Sequence, residues 1–159
     1  MVDIFSRASY RDFIIASFDF CRKNKGLELY AYVIMSNHIH LIARAKECYI
    51  LSDIIRDFKK FTAKEILNKI QVGIESRRDW ILKRFQFAAK QHIRNSNYQV
   101  WTHENHAIEL ISKKFIDQKL NFIHKNPVRA KIVTEAIHYV YRSARNYAGF
   151  ESVLEIDFL

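Results

Sequence analysis

The sequence predicts an α+β fold in which a small antiparallel sheet is packed with helices. Three observations support this: apolar residues recur at helical intervals in several stretches, two β-rich runs lie next to each other, and only 3 of 159 residues are glycine and 1 is proline. Few glycines and prolines mean few sharp turns, so long regular elements are favoured. With 49% hydrophobic residues, residues 1–159 are expected to form one domain.

The sheet is predicted near the N-terminus, directly after a helix over residues 8–24. Leu27 to Met35 (LELYAYVIM) is rich in aromatic and β-branched residues, and His38 to Arg44 (HIHLIAR) follows after a break at Ser36-Asn37. Two such runs separated by two polar residues are typical of an antiparallel hairpin.

The rest of the chain is predicted to be mainly helical. Apolar periodicity indicates a helix over residues 51–70, and a basic stretch with interleaved aromatics covers 77–94. A further helix over 113–125 should end or kink at Asn126-Pro127, because a residue before proline disfavours the α region. Residues 152–159 alternate partially and could form a closing strand.

The charge balance points to an anionic partner. Lys and Arg number 26 against 17 Asp and Glu, a formal charge of +9. Such a field attracts nucleic acid or an anionic membrane, although a basic protein with no anionic ligand is the simpler alternative. No apolar run approaches the roughly 18 residues of a membrane span. The two cysteines lack zinc-site spacing and no signal peptide is evident, so a cytoplasmic, nucleoid-associated protein without membrane contact is expected.

His38 and His40 are the sharpest local feature. Residues two apart on a strand point to the same face, so both imidazoles project together. Two adjacent imidazoles can hold a divalent metal. The alternative is an ordinary pair of partly buried histidines.

The sequence around this pair resembles a known family. The run AYVIMSNHIHLIAR (31–44), followed by FIHKNPVRAKIV (122–133), is similar to the two motifs of the single-tyrosine HUH transposases, of the REP-associated kind. Three further segments match parts of it: FKKFTAKEIL (58–67), VWTHENHAIEL (100–110) and YRSARNYAG (141–149). The resemblance implies an HUH endonuclease-like sheet of the ferredoxin or RRM kind. It also implies a homodimeric transposase that binds single-stranded DNA hairpins and that cleaves and rejoins DNA through a 5′-phosphotyrosine.

The resemblance assigns roles to individual residues. His38, His40 and Asn126 would be ligands of Mg²⁺ or Mn²⁺, and the nucleophile position is Phe122, where the family has tyrosine. Phenylalanine has no oxygen to attack phosphorus, so the chain should be deficient in cleavage. Three explanations stay open: a deliberate substitution that traps uncleaved DNA, decay of a mobile element, or a domesticated protein that binds DNA without cutting it.

Other residues receive weaker roles. Six tyrosines are poor candidates for a substitute nucleophile: Tyr30, Tyr32, Tyr98, Tyr139, Tyr141 and Tyr147. His124 is about 200° around a helix from Phe122, which makes it a packing or DNA-contact residue. Trp80 and Phe85 are expected in the core. The candidate DNA contacts are all basic: Lys59, Lys60, Lys64, Arg77, Arg78, Lys83, Arg84 and Arg129.

Relatives usually begin with an extra strand, which this sequence lacks before Val2. Because an unpaired edge of the sheet would be costly, three explanations stay open: a truncated gene model, a strand supplied by a partner, or a shifted start. Two rival functions stay open: a DNA-repeat-binding protein without chemistry, and a metal-dependent phosphodiesterase that uses activated water. A bare RNA-binding domain is a weaker option, because no RNP-like aromatic motif is present.

Overall fold

The computed structural model describes residues 2–93 and 97–159 and confirms the α+β class. Its contacts divide into two compact units. The sheet unit comprises residues 3–54 and 108–159, and the helical unit comprises residues 55–107. The single-domain organisation stays a prediction. No helix in the described part of the chain is long and apolar enough to cross a membrane.

The sheet is the predicted hairpin of β1 (Leu27–Ile34) and β2 (Ile39–Ala45). The strands are antiparallel, with Val33 opposite His40 and Ile34 opposite Ile39. The Ser36-Asn37 turn is closed by the Met35 N–H, which donates to the His38 carbonyl at 2.9 Å. His38 therefore continues the ladder just before β2 begins.

Helix α1 (Ala8–Asn24) packs on β1 and buries Tyr10, Ile14 and Phe18, as its periodicity predicts. It ends before Gly26, where φ is +72°. The Tyr49 ring lies where a Cβ on Gly26 would be, so a larger residue would clash there as well as being strained.

Helix α4 (Lys113–Arg129) runs through Pro127, so of the two predicted alternatives, an end or a kink at Asn126-Pro127, the end is wrong. Proline has no N–H, so one hydrogen bond of the helix is lost at Pro127. The helix continues for two more residues, to Arg129. The buried guanidinium of Arg142 donates to the His124 carbonyl in this last turn. The Pro127 carbonyl in turn accepts from Ile132 N–H at 2.9 Å. Tertiary contacts thus override the local preference before proline.

The edge of β1 opposite β2 is covered by residues 139–157. Arg142 forms an isolated antiparallel bridge with Val33. Side chains continue the cover on both sides: Ser143 Oγ accepts from Tyr32 N–H at 3.0 Å, and Asp157 Oδ2 accepts from Leu29 N–H at 2.9 Å.

A 3₁₀ turn (Ala136–His138) precedes this covering segment, which contains the short helix α5 (Ala144–Tyr147) but no strand. Residues 152–159 were expected to form a closing strand, and this is wrong. Asp157 does contact β1, because its N–H donates to the Leu29 carbonyl at 2.8 Å. Leu29 and Asp157 thus exchange two hydrogen bonds, which join residues 152–159 to β1 without a strand ladder.

The helical unit is built from most of α2 (Leu51–Val72) together with α3 (Arg78–Lys90). Ile66, Ile70 and Ile81 are completely buried. The Trp101 indole N–H donates to Thr62 Oγ1 at 2.9 Å and so closes the returning chain onto α2. Arg94, the last residue of the predicted basic stretch, lies outside the described residues.

The cover of β1 leads to a stability prediction. Ser143 is fully buried, and its hydroxyl lies 2.9 Å from His124 Nε2 as well as bonding Tyr32. Ser143→Ala should lower the free energy of unfolding in urea by about 1–3 kcal/mol, because the buried Tyr32 N–H loses its acceptor. Exposed Ser52→Ala should change it by no more than about 0.5 kcal/mol. Equal effects would contradict the role given to Ser143.

Candidate active site

The two histidines of the hairpin lie side by side on one face of β2. The ring centroids of His38 and His40 are 4.9 Å apart and the rings meet edge to face at 76°. Both side chains are partly buried. This is the joint projection that the two-residue spacing predicts.

Asn37 orients the first of these rings, a role that the sequence did not reveal. Its Oδ1 lies 2.6 Å from His38 Nδ1. An amide oxygen accepts, so this contact favours the tautomer with hydrogen on Nδ1 and a free lone pair on Nε2. A hydrogen bond to one imidazole nitrogen is how proteins usually prepare the other to bind a metal. The only sequence signal was its place in the turn just before the pair.

Burial keeps both imidazoles neutral. It lowers the pKa of His38 below its ordinary value of 6.5. Burial is also the largest cause of the lowered pKa of His40, followed by the nearby charges of His38 and Lys119. A neutral imidazole is the form that binds metals, so neutral pH leaves both rings competent as ligands.

The aromatic ring of Phe122, on helix α4, lies against the histidine pair. Its centroid lies 5.3 Å from that of His40, edge to face at 77°, and 40% of the residue is exposed. Two cations flank the ring: the Arg129 guanidinium carbon at 5.2 Å and the Lys119 Nζ at 5.9 Å from its centroid. Lys119 was not predicted, although it is one turn before Phe122. The surroundings of Phe122 suit a bound anion.

Asn126 lies one helical turn after Phe122, and because α4 continues through Pro127 the two share a face. Its side chain is partly buried and makes no hydrogen bond within residues 2–93 and 97–159. These same residues contain no cluster of three His, Cys, Asp or Glu side chains that could hold a metal.

His124 points away from this face and packs in the interior. Its Nε2 lies 2.9 Å from Ser143 Oγ, and its ring is 5.3 Å from that of Tyr147. Burial, and then the Arg142 charge, lowers the pKa of His124 to about 4. These contacts agree with the packing role expected from its place on the helix.

Five of the six alternative tyrosines have hydroxyls that hydrogen-bond other residues, and the sixth hydroxyl, that of Tyr32, is buried. The Tyr139 hydroxyl donates to the Ile34 carbonyl and the Tyr147 hydroxyl to the Tyr30 carbonyl. Burial is the largest cause of a raised pKa in five of the six, which makes their phenolate forms scarce: Tyr30, Tyr32, Tyr139, Tyr141 and Tyr147. The sixth, Tyr98, accepts from Gln86 at 3.5 Å in the helical unit.

The predicted DNA contacts of the helical unit divide into two groups. Four are exposed side chains on α2 and α3: Lys60, Lys64, Lys83 and Arg84. The others already bond protein groups. Lys59 Nζ donates to the Thr102 carbonyl at 2.8 Å, Arg77 pairs with Glu75 at 3.4 Å, and Arg78 donates to the carbonyls of Ile70 and Gly73.

The predicted burial of the α3 aromatics is half right. Phe85 is 5% exposed and belongs to the core. Trp80 is 48% exposed, so its assignment to the core is wrong. The apolar stripe of α3 runs through Ile81, Phe85 and Ala89, and Trp80 falls outside it.

The fold and the site define an α+β protein with a strand-borne histidine pair facing a helix, an arrangement suited to metal-assisted chemistry on phosphates. The family model described as "Transposase IS200 like" matches residues 3–119, most of the chain. The chain belongs to this family, the single-tyrosine HUH transposases, whose members act on DNA by cleavage and strand transfer and generally use a divalent metal. The matched residues include His38 and His40 and end before Phe122. No curated protein and no solved structure matches the chain significantly.

Protonation of His124 should destabilise the fold. Its folded pKa of about 4 lies below the ordinary 6.5, so the unfolded chain binds more protons between these values. The stability contributed by neutral His124 is complete above pH 6.5 and is lost as pH falls toward 4. We expect the loss in unfolding free energy between pH 7.5 and pH 4.5 to be about 2–3 kcal/mol smaller in His124→Gln. The measurement is urea unfolding at both pH values.

The matched control is His138→Gln, which removes an exposed histidine of the same unit. This variant should keep the pH dependence of the parent protein. An unchanged pH dependence in His124→Gln would show that His124 is not held neutral by burial.

Proposed function

We propose that this transposase-family protein binds single-stranded DNA hairpins, such as those at repeats or element ends, without cleaving them. The observation that carries the proposal is Phe122, whose ring lies 5.3 Å from His40 with Arg129 and Lys119 beside it. The site has cations for a phosphate but no hydroxyl at the position that the family motif gives to the nucleophile. The protein would therefore bind DNA at this site but lack the group that cuts it.

The residues of the site fit a divalent metal, and we assign its binding to His38, His40 and Asn126. Two neutral imidazoles, one oriented by Asn37, and one unengaged amide supply two nitrogens and one oxygen. Such a set leaves further ligands to water and phosphate, which suits Mg²⁺ or Mn²⁺. When bound, the ion would polarise the phosphate as a Lewis acid.

The protein's own side chains would hold the DNA strand. Lys119 and Arg129 would pair with oxygens of the phosphate, and α4 would keep Phe122 and Asn126 in register. With tyrosine at 122, its Oη would attack phosphorus and the P–O3′ bond would break. The 3′-oxygen would leave with a proton, and the 5′-phosphate would stay on the protein. The hydrocarbon ring of Phe122 cannot begin this sequence.

In the helical unit, phosphate contacts are proposed for Lys60, Lys64, Lys83 and Arg84, because these are the exposed residues among the predicted contacts. Lys59, Arg77 and Arg78 would have to exchange existing bonds for DNA. Resemblance to the REP-associated members further suggests a homodimer in the nucleoid of a bacterial cytoplasm.

The second candidate function is a DNA-repeat-binding protein in which the site has no remaining chemistry. Phe122 also favours this second function, because phenylalanine has no nucleophilic oxygen but keeps the contact with His40. The two candidate functions differ in whether the residues around position 122 could support cleavage if a nucleophile were present.

Restoring the hydroxyl distinguishes them. Phe122→Tyr and the parent protein would each be incubated with Mn²⁺ and a labelled single-stranded hairpin from the flanks of the gene, then separated on a denaturing gel. We expect a covalent protein–DNA adduct only with Phe122→Tyr, because only it offers an oxygen beside His40.

Two controls make this result specific. Phe115→Tyr adds a tyrosine to the same helix two turns earlier and should give no adduct. Phe122→Tyr combined with His38→Ala and His40→Ala should bind DNA without forming one. Intact binding but no adduct in Phe122→Tyr would favour the DNA-repeat-binding protein. Multiple-turnover cleavage without an adduct would instead indicate a phosphodiesterase that uses water.

The metal can be tested without DNA. Titration calorimetry with Mn²⁺ should show binding that is lost in His38→Ala. Asn37→Ala should weaken the affinity about 10- to 100-fold, because it releases the ring that it orients. Asn68→Ala, an exposed amide on α2, should leave the affinity unchanged. Parent-like affinity in His38→Ala would place the metal elsewhere.

A further inference from the structure

Helix α3 has two opposite faces, and only one of them packs in the helical unit. Ile81, Phe85 and Ala89 recur every four residues and are all buried. On the other side, Trp80 is 48% and Phe87 is 63% exposed. Large aromatic side chains usually bury most of their surface, so two exposed rings on one short helix call for a reason.

Cations share this exposed side with the two rings. At about 100° per residue, Trp80, Lys83, Arg84 and Phe87 fall within an arc of about 100° that contains no acidic residue. The Arg84 guanidinium carbon lies 5.7 Å from the centre of a Trp80 ring, close enough for a cation–π contact. We call these four residues the α3 aromatic face.

We propose that the α3 aromatic face binds unpaired nucleotides, with bases stacked on Trp80 and Phe87 and phosphates paired with Lys83 and Arg84. This inference rests on the proposed binding of single-stranded DNA and gives it a site that no family motif assigns. Exposed aromatics among cations are how proteins hold single strands without reading sequence.

The spacing along the helix fits this ligand. Trp80 and Phe87 are seven residues apart, which is a rise of about 10 Å in an α-helix. Stacked nucleotides of one strand rise about 3.4 Å each, so the two rings are about three nucleotides apart. In a duplex the base faces are hidden by their neighbours, so these rings would find nothing to stack on. The chemistry therefore favours unpaired bases over a double helix.

The test compares binding of a labelled oligothymidylate with that of a duplex of equal length, by fluorescence anisotropy at several salt concentrations. Trp80→Ala and Phe87→Ala should each weaken oligothymidylate binding about 5- to 150-fold, while duplex binding changes little. Their salt dependence should match that of the parent, because stacking releases no counterions. Lys83→Gln should instead reduce the slope of log K against log salt by about 0.7.

Two further variants exclude simpler explanations. Trp80→Phe should retain the affinity, because it keeps a ring for stacking. Phe20→Ala removes an equally exposed aromatic from α1 in the sheet unit and should bind like the parent. Thermal unfolding of each variant shows whether the fold survives.

The outcomes separate this inference from the proposed function. Parent-like affinity in Trp80→Ala and Phe87→Ala, with oligothymidylate still bound, would overturn the α3 site and leave the function standing. Equal losses for oligothymidylate and duplex would also overturn it, because stacking would not be responsible. Failure of the parent protein to bind any single-stranded DNA would overturn both.

Discussion

The buried side chain of Arg142 is the constraint on which the architecture of the site depends. Its backbone bridges Val33 in β1, while its guanidinium donates to the carbonyls of His124 and Glu135. Burial lowers the pKa of this guanidinium to about 10, but it stays charged at neutral pH and needs its carbonyl partners. One residue thereby fixes the helix that carries Phe122 and Asn126 to the strand beside the histidines.

Features encoded by short-range periodicity could be predicted from the sequence. The hairpin, α1 and the joint face of His38 and His40 all depend on side-chain spacings of two or about four residues. The continuation of α4 through Pro127 could not be predicted in this way. The guanidinium that donates to the last turn of α4 belongs to Arg142, fifteen residues after Pro127. The cover of the β1 edge was missed for the same reason, since it uses side chains such as Ser143 and Asp157 in place of a strand pattern.

The site was predicted in part for equally physical reasons. Motif resemblance pointed to His38, His40, Phe122 and Asn126, and the structure brings Phe122 against His40. Lys119 belongs to no motif and became visible only as a cation beside that ring. Trp80 was misplaced because a helix with aromatics on two sides does not reveal from its sequence which side is covered. Which side is exposed depends on the elements that pack against the helix, and the periodicity of its sequence does not identify those elements.

The cover of β1 also imposes an order on synthesis. The hairpin with the histidine pair is synthesised well before Tyr139, Ser143 and Asp157. A nascent chain that has not reached these residues has neither the hydrogen-bond partners that complete β1 nor the clamp on α4. The helix facing the histidines is therefore fixed only after Arg142 has been made.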